Sequence, residues 1–150
     1  MVKNTKNIED FFSAYETNFN AGLSGENQET QMAISSSFTE CFIESSPLGV
    51  MCGKNGEEFI ANINRGFQFY RTIGSLSMKI ISREITPIND LHDMVKVNWR
   101  YSFKKEDNED FIDFENTYFL KTLNNQTKIF AYIAGDEQKA LKEKGLLPEQ

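Results

Sequence analysis

The sequence is poor in the residues that metal and redox sites use. Its 150 residues include one His, two Cys, three Pro and one Trp. A single His excludes motifs such as H-E-x-x-H, which need two on one helix face. Two Cys cannot build a disulfide framework or a Cys-rich zinc site. Cations are in the minority: 16 Lys and Arg against 22 Asp and Glu give a formal charge of -6. A broad phosphate-binding surface needs clustered Lys and Arg, so no nucleic-acid partner is expected. Unbroken apolar runs last only a few residues, far short of the ~20 that a membrane helix needs. The polar opening Met1–Asn7 lacks the apolar stretch of a signal peptide. A cytoplasmic protein with no membrane association is therefore expected.

Aromatic bulk is plentiful: thirteen Phe and five Tyr. Ile8, Phe11, Phe12, Tyr15, Phe19 and Leu23 recur in steps of three and four, which predicts a first amphipathic helix. Asn7 is its expected N-cap, and Gly22 and Gly25 bracket its end. The polar stretch Glu26–Ser37 reads as a short second helix or an irregular connection. Asn55 is the expected cap of a long helix, with Glu58 three residues on. Its stripe is Phe59, Ile60, Ile63, Phe67, Tyr70 and Ile73; Gly66 on the same face suggests close packing, and Gly74 ends it.

Strands fill most of the rest. Phe38–Ser45 is β-prone, Pro47-Leu48-Gly49 turns the chain, and Val50-Met51-Cys52 reads as a short partner strand. Cys41 and Cys52 flank that turn and are expected to be free, small, half-buried apolar residues. Ser75–Ile88 is a long strand. Met94–Phe103 alternates, with Val95, Val97, Trp99, Tyr101 and Phe103 on one face. A charged loop, Lys104–Asp110, leads to Phe111–Leu123, whose inward series is Ile112, Phe114, Tyr118 and Leu120. Asn124-Asn125 is a tight-turn signal before Lys128–Ala134. Asp136 caps a last helix, Glu137–Lys144, closed by Gly145 with Pro148 beyond. Short connections make the last four strands antiparallel neighbours. Their apolar face needs the helices as cover, so the fold class is α+β, one domain over residues 1–150.

This order, together with Ser45-Ser46-Pro47-Leu48-Gly49, Asn55-Gly56-Glu57-Glu58-Phe59, Thr86-Pro87-Ile88-Asn89-Asp90 and Lys128-Ile129, resembles the nuclear transport factor 2-like superfamily, also called SnoaL-like. Asp136-Glu137 leading to Gly145-Leu146-Leu147-Pro148 resembles an ending of bacterial members without assigned function. The resemblance implies a cone-shaped, cystatin-like fold. A strongly curved antiparallel sheet would wrap the N-terminal and middle helices around a cavity. It also implies a homodimer through the outer sheet face. Isomerase, dehydratase, cyclase and epoxide hydrolase chemistry, and plain binding, all occur on this fold, so the fold does not choose among them.

Parity and stripe then nominate Tyr15, Trp99, Tyr101, Asn116 and Tyr118 as the residues that face the cavity and bind a hydrophobic small molecule. Asn116 interrupts an apolar series; it is either a structural amide bonded to Tyr15 or backbone, or a ligand anchor, and the first is favoured. Tyr15 matches the helix tyrosine of ketosteroid isomerase-like members. Where those carry an acidic base before the turn proline, this chain has Ser46, which weakens the isomerase reading. Glu44 is expected on the solvated outer face with Glu40, while Cys41 and Ile43 point in; if Phe42 pointed in instead, Glu44 would approach the cavity mouth. His92 should face outward or sit in the loop. The carboxylates Glu106, Asp107, Glu109, Asp110 and Asp113 lack calcium-loop spacing and read as a solvated hairpin tip. No cofactor and no metal are expected. Binding of a small molecule ranks first, an enzyme on a hydrophobic carbonyl, epoxide or hydroxyl compound second, and a partner-binding module with a filled core third.

Overall fold

The computed structural model describes residues 4–25 and 28–147. Pro148, and Glu26 of the polar stretch, lie outside them. In chain order the elements are α1 (Thr5–Ser24), α2 (Gln28–Ser36), β1 (Phe38–Ser46), β2 (Gly49–Lys54), α3 (Glu57–Thr72), β3 (Ser75–Pro87), β4 (His92–Lys105), β5 (Asn108–Leu123), β6 (Gln126–Ile133) and α4 (Glu137–Glu143). The polar stretch after α1 is thus a helix. The six strands form one curved, unclosed sheet in the order β2-β1-β6-β5-β4-β3. β3 to β6 are antiparallel neighbours, as short connections require. The pairing of β1 with β6 is parallel, because the long α3 excursion brings the chain back from the other side.

The core lies between the concave sheet face and α1 to α3. Val95, Val97, Trp99, Tyr101 and Phe103 of β4 are all buried, as are Ile112, Tyr118 and Leu120 of β5. From α1, Ile8, Phe12, Tyr15 and Leu23 meet them. Both two-residue hairpin turns, Glu106-Asp107 and Asn124-Asn125, have positive φ at each position, which suits the right-handed twist of their strands. The charged loop after β4 is therefore only a tight turn.

Side chains of α1 complete the free edge of β3. Asn20 donates to the Met78 carbonyl (2.6 Å) and accepts from the Met78 N–H (2.8 Å), while Glu16 accepts from the Ile80 N–H (2.5 Å). An edge strand left open would expose these groups to other chains.

Four local expectations are corrected. α1 starts after Asn4, not Asn7; the Asn4 amide donates to the Asp90 carbonyl instead of capping. α3 follows Gly56, and Asn55 ties α2 to β1 by donating to the Ser35 (2.7 Å) and Phe38 (3.1 Å) carbonyls. Gly66 has open space beside it; the close approach is at Gly22, where a Cβ would lie 2.4 Å from the Phe67 ring. Cys41 and Cys52 are free but exposed, not half-buried.

Candidate functional site

A cavity of about 200 Å³ opens between the concave sheet face and the helices. α1 contributes Tyr15 and Phe19, β4 contributes Trp99, and β5 contributes Phe114, Asn116 and Tyr118. A second space of about 170 Å³ adjoins it, sharing Tyr15, Phe19, Phe38, Tyr70 and Tyr132 and extending to Ile34, Phe59, Ile63 and Phe67. A dry cavity of roughly 150 Å³ already admits benzene. Thirteen Phe therefore do not plug this interior.

Four of the five residues nominated from sequence line the first space: Tyr15, Trp99, Asn116 and Tyr118. Tyr101 does not. It is fully buried deeper in the sheet, its hydroxyl 2.6 Å from Ser75 Oγ and its ring stacked on Phe103. Parity selects a face of the strand but not the distance along it. Trp99 sits beside the open space and Tyr101 lies two residues further into the packed end.

The polar groups form a chain. Trp99 Nε1 donates to the Tyr118 hydroxyl (3.1 Å), and so does Asn116 Nδ2 (3.2 Å). The Gly135 N–H donates to Asn116 Oδ1 (2.9 Å), so the amide links β5 to the segment after β6. The structural reading of Asn116 holds in that sense, with Tyr118 and Gly135 as partners and not Tyr15. The Tyr118 oxygen accepts twice, and among the described residues its own proton has no acceptor. The Tyr15 hydroxyl has no hydrogen-bond partner among them either. Burial raises both phenols above their ordinary value. Both stay protonated near neutrality and can only act as neutral donors or acceptors.

Two carboxylates complete the wall: Glu44, for which the sequence offered this place only as the less favoured alternative, and Glu137, for which it offered none. Phe42 is buried and Ile43 is 47% exposed, so β1 presents Phe38, Phe42 and Glu44 inward and Cys41 outward. The parity expected for Glu44 is thereby reversed. Phe38, Phe42 and Glu44 share one parity of the strand, and burial of the two phenylalanine rings turns that face inward. Glu44 Oε1 accepts from the Tyr132 hydroxyl at 2.5 Å. Burial, and then this carboxylate, push the Tyr132 phenol up.

Glu137 stands in the first turn of α4 and accepts from the Tyr70 hydroxyl. Burial pushes its carboxyl up to about 7. Asp136 caps the helix, accepting from the Lys139 N–H at 3.1 Å, which sets the direction in which Glu137 leaves the backbone. Glu44, Ala134 and Glu137 also line an outer groove with Ser46, Pro47 and Leu48. Leu48 is 82% exposed. The two carboxylates therefore stand where the interior meets solvent.

His92 lies away from this site, with Nδ1 2.9 Å from Asn89 Oδ1 and its ring against Phe130. Among the described residues, no group of three or more His, Cys, Asp or Glu side chains could hold a metal ion. None of their helices is long and apolar enough to cross a membrane.

Comparison with known proteins places this architecture. No curated protein sequence matches the chain. Among solved structures, an NTF2-like protein with a cystatin-like fold from Novosphingobium aromaticivorans superposes with a TM-score of 0.71 at 10% identity, covering 99% of this chain and 91% of that one. An NTF-2 like protein of unknown function from Shewanella oneidensis gives 0.65 at 17% identity, covering 87% and 97%. A ketosteroid isomerase-like protein from Erwinia carotovora atroseptica gives 0.65 at 13% identity, covering 89% and 95%. At such identities the likeness is one of fold. The model of the family described as NTF2-like protein (DUF6841) matches residues 5–137, and the chain belongs to that family.

Proposed function

We propose that the protein binds a small, mostly apolar molecule carrying an acceptor oxygen. One observation supports this above others. Two buried phenols, Tyr15 and Tyr118, line an aromatic-walled space and have no acceptor for their protons among the described residues. Both side chains border the open space, and no fully buried side-chain polar atom among the described residues lacks a partner, so these protons are free for a ligand carbonyl or hydroxyl oxygen to accept. Small-molecule sites have this composition, apolar walls with a few placed polar groups. Trp99 lines the cavity, and it is the only tryptophan of the chain. Its emission therefore reports occupancy directly. Titration with 4-phenylbutan-2-one should change that emission saturably. Tyr15→Phe should weaken the ketone by roughly two- to tenfold, the value of one net hydrogen bond, and leave the unfolding midpoint in place. An unresponsive Trp99, or a Tyr15→Phe protein that binds as well but unfolds earlier, would count against a binding site.

A second reading, an enzyme, is favoured by Glu137 alone. A carboxyl held near 7 at a cavity mouth is poised both to give and to take a proton. With Glu44 across the same space it offers an acid and a base to a bound carbonyl compound. This reading requires deuterium to enter the ketone's α-position in D2O when protein is present, and to enter less with Glu137→Gln. An unlabelled ketone removes it.

A further inference from the structure

The mouth of the cavity has a chemistry of its own. Glu44 and Glu137 both line it, one from β1 and one from α4. Each carboxylate uses only Oε1 in its bond to a tyrosine hydroxyl. Among the described residues, the second oxygen of each has no donor, and neither group forms an ion pair. No Lys, Arg or His lines the inner space or the outer groove, whose remaining charged group is Asp136. Anionic acceptors thus stand unmatched at the edge of a box of aromatic rings, among them Tyr70, Tyr132 and Phe114.

We propose that the acceptor-bearing molecule this site takes is an organic amine, its ammonium group held at the mouth by Glu44 and Glu137 and its mostly apolar body, with the acceptor oxygen toward Tyr15 and Tyr118, lying among the aromatic rings inside. The inference rests on the cavity being a binding site and names the class of its ligand. Three physical terms favour a cation. An ammonium N–H supplies the donors that the two free carboxylate oxygens lack, and charge-assisted bonds are the stronger kind. Ring faces attract a cation within about 6 Å of their centres, more so where water is excluded. An anionic ligand would meet two or three carboxylates and no compensating cation. A bare metal ion is the weaker fit, since two carboxylates and phenols fall short of the oxygen cage that hard cations require. The aromatic box behind them has no use for such an ion.

The groups that face Glu137 are Tyr70 from α3, Glu44 from β1 and Asp136 beside it on its own segment. None is a cation, so nothing but a ligand offsets its charge. An ammonium ion binds the ionised carboxylate. The amine's affinity should therefore rise about tenfold between pH 6 and pH 8 as a group titrating at about 7 loses its proton.

The test uses one skeleton with three heads: 4-phenylbutylamine, 4-phenylbutanol and 4-phenylbutanoate, each titrated against Trp99 emission. The amine should bind roughly tenfold or more tighter than the alcohol, the span of one net charge-assisted bond, and the carboxylate weakest. Glu44→Gln and Glu137→Gln should each cut the preference for amine over alcohol and leave the alcohol unchanged. Glu137→Gln should also flatten the amine's pH dependence. Equal binding of amine and alcohol, or an amine preference that survives both substitutions, overturns the inference while the binding site stands. Tightest binding by the carboxylate does the same. Silence from all three heads while 4-phenylbutan-2-one still binds overturns the inference alone, and silence from the ketone as well removes the binding site and the inference together.

Discussion

Glu137→Gln tests the electrostatics of the site without any ligand. The perturbation is small, because a glutamine can still accept from the Tyr70 hydroxyl through its carbonyl. It removes only the ability to ionise. In the fold, burial lifts the carboxyl from 4.5 to about 7. The unfolded chain keeps the ordinary value. Below pH 4.5 the group is protonated in both states and costs nothing. Between 4.5 and 7 the unfolded chain ionises while the fold holds its proton, so stability falls as pH rises. Above 7 both states are ionised and the whole penalty is present. At about 1.4 kcal/mol per unit of pH the penalty reaches ~3 kcal/mol by pH 8. Urea unfolding of both proteins from about pH 4 to about pH 8.5 reads it directly. The comparison cancels the titration of every other carboxylate. Glu137→Gln should match the parent near pH 4 and exceed it by ~3 kcal/mol near pH 8. A difference that stays flat, or that shrinks as pH rises, would show that Glu137 is solvated and would refute the buried carboxyl at the mouth.

Two further outcomes probe the frame around it. Gly135→Ala should lower stability by about 1–3 kcal/mol in the same urea assay, the usual cost of overpacking, because its Cβ would sit 2.4 Å from the Glu115 carbonyl, a backbone atom that cannot swing aside. A Gly135→Ala protein as stable as the parent would mean that the link between β6 and α4 is loosely held. Tyr118→Phe should cost roughly 2–3 kcal/mol, since it strips the acceptor from both Trp99 Nε1 and Asn116 Nδ2; a thermal midpoint unchanged from the parent's would show that this chain of bonds contributes no stability.

Most of the fold was legible because its signals are periodic. The stripe Ile8, Phe12, Tyr15, Leu23 and the alternation Val95, Val97, Trp99, Tyr101, Phe103 are apolar choices repeated along whole elements. All of these are buried in the structure. Turn chemistry was nearly as plain, with Asn124-Asn125 and Gly74 at positive φ as their residue types prefer. Helix starts were less legible. Asn4 and Asn55 spend their amides on the Asp90 and the Ser35 and Phe38 carbonyls, distant in sequence, and no local pattern announces such partners. The parallel pairing of β1 with β6 is likewise a long-range choice.

The candidate site divides along the same line. Its aromatic half, Tyr15, Trp99 and Tyr118, sits on regular elements and could be read from parity. Its acidic half was read only as an alternative for Glu44 and not at all for Glu137. Alternation offered two faces for β1, and only the burial of Phe38 and Phe42 shows that the face carrying Glu44 is the inner one. Glu137 meets its partner Tyr70 67 residues away, on α3. From sequence it reads only as an acidic residue suited to the first turn of a helix. Both residues obey local rules, alternation for Glu44 and the helix first turn for Glu137, but those rules do not say that either one reaches the cavity. The division has a consequence for specificity. Glu44 follows the buried Phe38 and Phe42 on β1, and Glu137 opens the short helix α4, so both stand at the rim of the packed interior. Replacing them should re-tune what the cavity accepts while leaving the core intact, whereas Trp99 and Tyr118 are committed to both.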